Sequence, residues 1–380
     1  MKVGKAIYNI LSQSTDVQSN FPFNTTDYAP TGTELVTNGD FSAGVELLTQ
    51  PIDLTVDFIP NGSGVIDDSN SFTTTGAAFD GLRNKLSSFQ LIDGKSYKLV
   101  IEGSTTSSGF TIGSVTANGN EYGAGFGTHY FVATTAHPTT IWIRQQTAGT
   151  TDLTTFTIEE LGADWTLDAG WSIGDSKAVY DGTGGTSRIN QNITVSANKS
   201  YKISLTVLSN EGTGGNSIYF GSVLVSSTHL EASATPYVFY GLSDAATELL
   251  SIYGRASEVF EVTNITVQEM ILTKIFPELA PPDIDAPYIV YSVVSNSPSE
   301  TKNANGDIDT ANIEVYGFQD TYNKAVDLGV SVRAALDRKT GTYNTIQIQS
   351  TNYVNEQMDV NEARKLWAAI QDYSIRIKNI

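Results

Sequence analysis

Val3, Ile7, Ile10 and Leu11 recur at helical spacing within Lys2 to Gln13, which predicts a short amphipathic helix there. From about Phe21 to Gln268 the texture changes. Short alternating apolar and polar segments are separated by Gly, Thr, Ser and Asn, the pattern of strands joined by polar turns. The one helical expectation in this stretch is a short turn near Ala245–Ser251.

Two parts of this middle region share the same words. The first opens at Glu34-Leu35-Val36-Thr37-Asn38-Gly39-Asp40-Phe41-Ser42 and closes at Thr155-Phe156-Thr157-Ile158-Glu159-Glu160. The second opens near Ala163-Asp164-Trp165 with Gly170-Trp171-Ser172-Ile173, and closes at Val262-Thr263-Asn264-Ile265-Thr266-Val267-Gln268-Glu269. Each carries a turn with Gly or Asn, then Lys-Ser-Tyr-Lys and an apolar strand: Lys95–Ile101 in one, Lys199–Leu205 in the other. Self-similarity of this kind is an internal repeat. Units of roughly 110 to 130 residues with many short strands predict β-sandwiches of jelly-roll type.

At Ile275 the texture changes again. Phe276-Pro277 and Ala280-Pro281-Pro282 make a Pro-rich junction, followed by a strand, Ala286 to Val294, and a polar loop, Asn296 to Gly306. Thr310 to Phe318 alternates Ile313, Val315 and Gly317 against Asn312, Glu314 and Tyr316, as a half-buried strand does. A helix is expected from near Asp320, whose carboxylate would cap it, with Ala325, Leu328, Val332, Ala335 and Leu336 as its apolar face. Tyr343 to Ser350 and a segment within Gln371 to Ile380 read as further strands, and Ala363 to Ile370 as a short helical run. Trp142 and Trp367 are expected in cores.

The composition agrees with a β-rich chain. Of 380 residues 40% are hydrophobic, enough for real cores, and only 17% are charged. The net charge is −19. Residues 29–271 carry −15 of it and the two ends −4, so the acidity lies in the middle region, as solvated outer domains would have it. No basic run is present to meet a phosphate backbone, so sequence-specific nucleic-acid binding is not expected. There is no cysteine, hence no disulfide scaffold, thiolate metal site or cysteine nucleophile. The first residues lack a signal-peptide apolar core, and no stretch approaches the length needed to span a membrane.

The Asn-Gly-Asp-Phe-Ser opening, the Gly-Trp-Ser-Ile strand, the Lys-Ser-Tyr-Lys strand and the Asn-Ile-Thr-Val closing strand resemble galactose-binding-like, carbohydrate-binding jelly rolls. The two chain ends resemble the tail-terminator or tail-completion family of long-tailed bacteriophages. The matching features are the Ala6-Ile7-Tyr8-Asn9-Ile10-Leu11 helix, the Ile275-Phe276-Pro277 and Pro287-Tyr288-Ile289-Val290-Tyr291 strings, the Ile313-Glu314-Val315-Tyr316-Gly317 strand and the Tyr322-to-Leu336 helix. The resemblance implies a discontinuous α+β terminal domain (α-β-β-α-β-β, residues 1–28 and 272–380) interrupted by two all-β jelly-roll sandwiches, residues 29–161 and 162–271. Loops with adjacent ends tolerate such insertions.

The resemblance further implies a structural virion protein at the head–tail junction, assembled in the host cytoplasm, and not an enzyme. It implies a homohexameric ring whose partners are its own copies, the tail tube protein and the head–tail connector (neck) proteins. Asn296, Glu300, Asn303, Asn352 and Asn355, in the segments Asn296–Gly306 and Asn352–Asp359, are candidate assembly loops by position. The alternative is a virion-borne or secreted carbohydrate-binding adhesion protein holding host-surface or environmental glycans. For that role Trp165, Trp171, Tyr219 and Tyr240 are a candidate sugar platform, against the plainer reading that aromatics at alternating strand positions are core. No cofactor is expected. A structural calcium ion on Asp40, Asp181 or Asp67-Asp68-Ser69-Asn70 competes with ordinary turn and cap roles for these residues. His129, His137 and His229 show no metal-ligand spacing, no nucleophile elbow or phosphate loop stands in a strand-to-helix setting, and Gly123–Gly127 reads as a turn.

Overall fold

The computed structural model describes residues 2–48, 51–75, 80–114, 122–133, 139–213, 215–299, 308–343 and 345–379. The chain divides into a terminal unit, Met1–Thr33 with Asn198–Ser200 and Glu269–Ile380, and an inserted unit, Glu34–Ala197 with Tyr201–Gln268.

The terminal unit begins with the helix Lys2–Gln13, whose Val3, Ala6, Ile7, Ile10 and Leu11 are buried. A helical turn, Thr15–Gln18, follows, with Ser14 Oγ accepting from the Val17 amide. The six-stranded sheet runs Ile275–Pro277, Tyr288–Ser299, Ile308–Gln319, Leu366–Asn379, Ile346–Asn361, Gly341–Tyr343. All pairs are antiparallel except the first. Ile289, Tyr291, Ile313, Val315, Tyr373, Ile375 and Ile377 share one core with the first helix and with Leu328, Val332, Ala335 and Leu336 of the helix Tyr322–Leu336.

Several local expectations are corrected. Thr321, not Asp320, caps the helix Tyr322–Leu336: its Oγ1 accepts from Lys324 N, while Asp320 instead pairs with Lys324 Nζ at 2.9 Å. Ala363–Ile370 is not helical. From Leu366 the chain is strand, flanked by Ile308–Gln319 and Ile346–Asn361, and ladder pairing on both sides overrides the local helical spacing. Trp367 lies in that strand only partly buried, against Tyr322, and is not core. The strand expected over Tyr343–Ser350 is instead Ile346–Asn361, turned back on Gly341–Tyr343. Ala245–Ser251 is mostly strand as well, within Thr247–Gly254.

The inserted unit consists of two sheet pairs, consistent with β-sandwich modules. In the first, a six-stranded and a five-stranded sheet enclose Phe58, Phe72, Leu82, Tyr97, Leu99, Ile112, Ile143, Phe156 and Ile158. In the second, Tyr201, Ile203, Phe260 and Val262 of one sheet meet Ile189, Phe220, Leu250 and Ile252 of the other. Val36 and Phe41, read above as the opening of the first sandwich, belong to the core of the second. Phe41 packs on Trp165 at 5.3 Å, Trp165 Nε1 donates to Asn38 O at 3.1 Å, and Ile265 N donates to Gly39 O at 2.9 Å. The insertions are therefore nested along the sequence. The first sheet pair interrupts the second between Phe41 and Leu161, and the second interrupts the terminal unit.

The Lys-Ser-Tyr-Lys repeat has a side-chain counterpart. Tyr97 and Tyr201 are both fully buried, and each hydroxyl accepts from the amide five residues earlier, Ile92 N at 2.7 Å and Ser196 N at 2.8 Å. Between them the chain turns through a left-handed residue, Gly94 (φ +74°) or Asn198 (φ +60°), the two residue types that tolerate this conformation best. The first lysine of each word pairs with the glutamate closing its repeat: Lys95 with Glu160 at 3.3 Å, Lys199 with Glu269 at 3.2 Å.

Candidate assembly surface

Strand alternation gives the terminal sheet two faces. Odd-numbered positions of Ile308–Gln319 turn to the helices, while Asn312, Glu314, Tyr316 and Phe318 turn to the other side. On that open side Tyr288 stacks on Phe318 at 4.7 Å, Phe318 faces Tyr316 at 6.2 Å, and Phe276 meets Tyr288 edge-on at 6.5 Å. Tyr288, Tyr316 and Phe318, with Val290, Leu279, Pro282 and Arg364, line a groove of about 640 Å³. Leu279 is 82% exposed at its rim. Arg364 Nη1 donates to Tyr288 Oη at 3.4 Å. Tyr316 donates to Glu314 Oε2 at 2.7 Å, and this bond, with burial, pushes its phenol up to about 12.

The two sheet edges are only partly covered. Ile275–Pro277 pairs with Ile289–Tyr291 alone. Just beyond, Glu278 N donates to Tyr291 O, and its carboxylate accepts from Val293 N. On the opposite edge Gly341–Tyr343 covers Ile346–Ile348, Arg338 N donates to Thr351 O, and Asp337 Oδ1 accepts from Tyr353 N. Past the bulge between Tyr353 and Asn355, the strand continues to Asn361 with no neighbour on its outer side among the described residues. Val294 and Val354, near these open stretches, are 60% and 61% exposed. The two edge strands run in opposite directions, because three antiparallel pairings separate them.

The positions singled out from sequence fall differently from expectation. Asn296 ends up within the strand Tyr288–Ser299, opposite Ala311, and not in a loop. Asn352 and Asn355 lie in the strand Ile346–Asn361, opposite Ser374 and Asp372. Backbone ladder pairing, which polar composition does not rule out, explains all three. Glu300, Asn303 and His137 lie outside the described residues. The groove aromatics Tyr288, Tyr316 and Phe318 were missed as a site, although alternation along Thr310–Phe318 already separates Tyr316 from the core positions.

The four proposed sugar-platform residues do not form one surface. Trp165 and Trp171, 2% and 4% exposed, are core residues of the second sheet pair, where indole area is removed from water. Tyr219 packs against Tyr253 at 5.5 Å, and Tyr240 is 36% exposed on the strand Tyr237–Leu242. The aspartates considered for calcium serve turns. Asp40 accepts from Ser42 N and Oγ, Asp68 from Asn70 N and Ser71 N, and Asp181 from Thr183 N and Oγ1. Among the described residues no three His, Cys, Asp or Glu side chains converge as a metal site would require. His129 bonds to Gly125 O at 3.0 Å, and His229 lies 3.3 Å from Asn210 Nδ2.

No curated protein matches the chain. Among solved structures, a chain of the virion of native gene transfer agent (GTA) particle is 10% identical, with a TM-score of 0.24, over 28% of this chain and 80% of that one. The N-terminal CBM22-1-CBM22-2 tandem domain of Paenibacillus barcinonensis Xyn10C is 11% identical, with a TM-score of 0.24, over 63% of this chain and 100% of that one. Likeness at this level assigns no function. Residues 251–378, which span the terminal sheet up to Lys378 and include the helix Tyr322–Leu336, match the family model of tail completion protein gp17, and this match supports a structural protein of a virion.

Proposed function

We propose that the chain is a ring-forming tail completion component at the head–tail junction of a long-tailed bacteriophage, and that it works without catalysis. The match of residues 251–378 to tail completion protein gp17 carries this reading. The partly open edges of the terminal sheet are in keeping with it. They run in opposite directions, so one edge of a copy and the other edge of the next could pair antiparallel, a head-to-tail contact that closes into a ring when the rotation allows. The aromatic groove beside Arg364 is a second contact candidate, for the tail tube protein or a connector protein. The acidic inserted unit would then be an outer decoration.

The test is the mass of the full chain in solution, alone and with purified tail tubes, beside negative-stain images. Rings of about six copies, free or seated on tube ends, are the expected result. A chain that stays monomeric and leaves tube ends bare would sink the proposal.

A further inference from the structure

The groove on the open face of the terminal sheet is charged at both ends and apolar between them. Tyr288, Val290 and Ser292, at alternate positions of one strand, line it. Phe318, Tyr316 and Glu314 lie opposite them on Ile308–Gln319. Tyr288 and Val290 are buried and make the floor, while Tyr316 and Phe318 are half-buried. At the Tyr288 end stands Arg364, exposed, its Nη1 on Tyr288 Oη. It forms no ion pair among the described residues.

At the Ser292 end three carboxylates share one row across the sheet. Glu314 lies opposite both Ser292 and Asp372, and Glu278, just past Ile275–Pro277, lines the groove from the other side of Ser292. None of the three pairs with a lysine or arginine among the described residues. Like charges directly opposite each other destabilise a sheet, so a cation brought to this row would relieve it. Between the charged ends, Tyr288 and Phe318 stack within 21° and Phe318 and Tyr316 within 9°, so three rings stand side by side. Aromatic-lined grooves of this kind hold extended proline-bearing segments. The chain's own Ala280 and Pro282 already form part of one wall.

We propose that the groove receives an extended, proline-bearing segment of a partner virion protein, with a lysine or arginine at the row of Glu278, Glu314 and Asp372, apolar residues over Tyr316 and Phe318, and a carboxylate on Arg364. Tyr288 to Ser292 spans about 13 Å at about 3.3 Å per strand residue. About four residues of polyproline conformation cover that length. A helix, about 10–12 Å across, would take up about 1,000 Å³ or more over the same distance, beyond the groove's 640 Å³. The proposal rests on the assembly reading and gives the partner at this groove a chemistry.

The test titrates the full chain into three capped, dye-labelled pentapeptides and follows fluorescence anisotropy. The first reads lysine-proline-leucine-proline-aspartate, the second has glutamine and asparagine at its ends, and the third has lysine at both ends. The first should bind best and weaken with added salt. Arg364→Glu, at an exposed position, should keep the melting temperature, lose about tenfold for the first peptide and now prefer the third. A variant that had merely unfolded would not reverse its preference. No binding by the unaltered chain at millimolar concentration, equal affinity for the first two peptides, or an unchanged preference in Arg364→Glu would each overturn the proposal. The mass of the same samples separates it from the ring reading. Rings without peptide binding sink the groove proposal alone, and peptide binding by a chain that never forms rings upholds the groove while counting against the ring.

Discussion

The hydroxyl of Tyr97 accepts a hydrogen bond from the amide of Ile92 at 2.7 Å, and Tyr201 repeats the contact with Ser196 at 2.8 Å. The two tyrosines sit in separate cores. Tyr97→Phe and Tyr201→Phe should each cost about 1 kcal/mol by leaving an amide unpaired. Their effects should add to within about 0.5 kcal/mol in the double variant. Urea unfolding of the three variants checks this, and a neutral Tyr201→Phe would remove the structural meaning assigned to the repeat.

Burial pushes Tyr97 up to about 12, outweighing the Ile92 amide that favours its ionised form, and burial together with the Asp27 charge does the same for Tyr28. In the unfolded chain both ionise near 10.0. The folded state thus keeps protons that the unfolded state gives up, so stability is intact below pH 10 and falls as pH rises toward 12. Urea midpoints at pH 8, 10 and 11.5 should show this fall. Tyr97→Phe should flatten it, and an unchanged slope in that variant would refute the assignment.

Gln371, 1% exposed, ties the helix Tyr322–Leu336 to the sheet. Its Nε2 donates to Gly329 O at 2.7 Å and to Glu356 Oε2 at 2.9 Å, while its Oε1 accepts from Tyr373 at 2.6 Å. Gln371→Leu should cost about 2–4 kcal/mol, because several buried partners lose their bonds together. At Gly329 a Cβ would stand 2.9 Å from Ala369 Cβ. Gly329→Ala should therefore destabilise by about 1–3 kcal/mol despite its better helix propensity, and Ala369→Gly should recover part of the loss. Thermal melts of the pair decide the matter.

Trp165→Ala and Trp171→Ala should each cost about 3–5 kcal/mol, the usual result of emptying a buried indole site. Neither should alter glycan binding selectively once folding is accounted for. A folded variant with normal stability and lost sugar affinity would restore the platform reading of these residues.

Beyond the Tyr353–Asn355 bulge, Glu356, Met358 and Val360 direct their backbone groups to the open edge, and the Val360 amide is taken by Asp359 Oδ1 at 2.8 Å. Met358→Pro removes an edge donor without removing a ladder bond. The variant should fold, with a melting temperature within a few degrees of the parent, and fail to form rings. Intact rings would exclude this edge from the contact.

Local patterns carried much of this molecule. The spacing of Val3, Ile7, Ile10 and Leu11, the alternation through Ile313 and Val315, and the repeated Lys-Ser-Tyr-Lys words are each set within a dozen residues, where side-chain periodicity and turn chemistry act directly. The tertiary structure decided what depends on distant partners. Val36 and Phe41 join Trp165 and Ile265 across more than a hundred intervening residues, so the nesting of the sheet pairs is invisible to any local window. Leu366–Ile370 becomes strand because two ladders claim it from either side. Whether an aromatic is core or surface turns on which face its strand presents. That is why Trp165 and Trp171 joined the core of the second sheet pair while Trp142, at an equally alternating position, is buried beside Arg83 and Arg144 and outside that core.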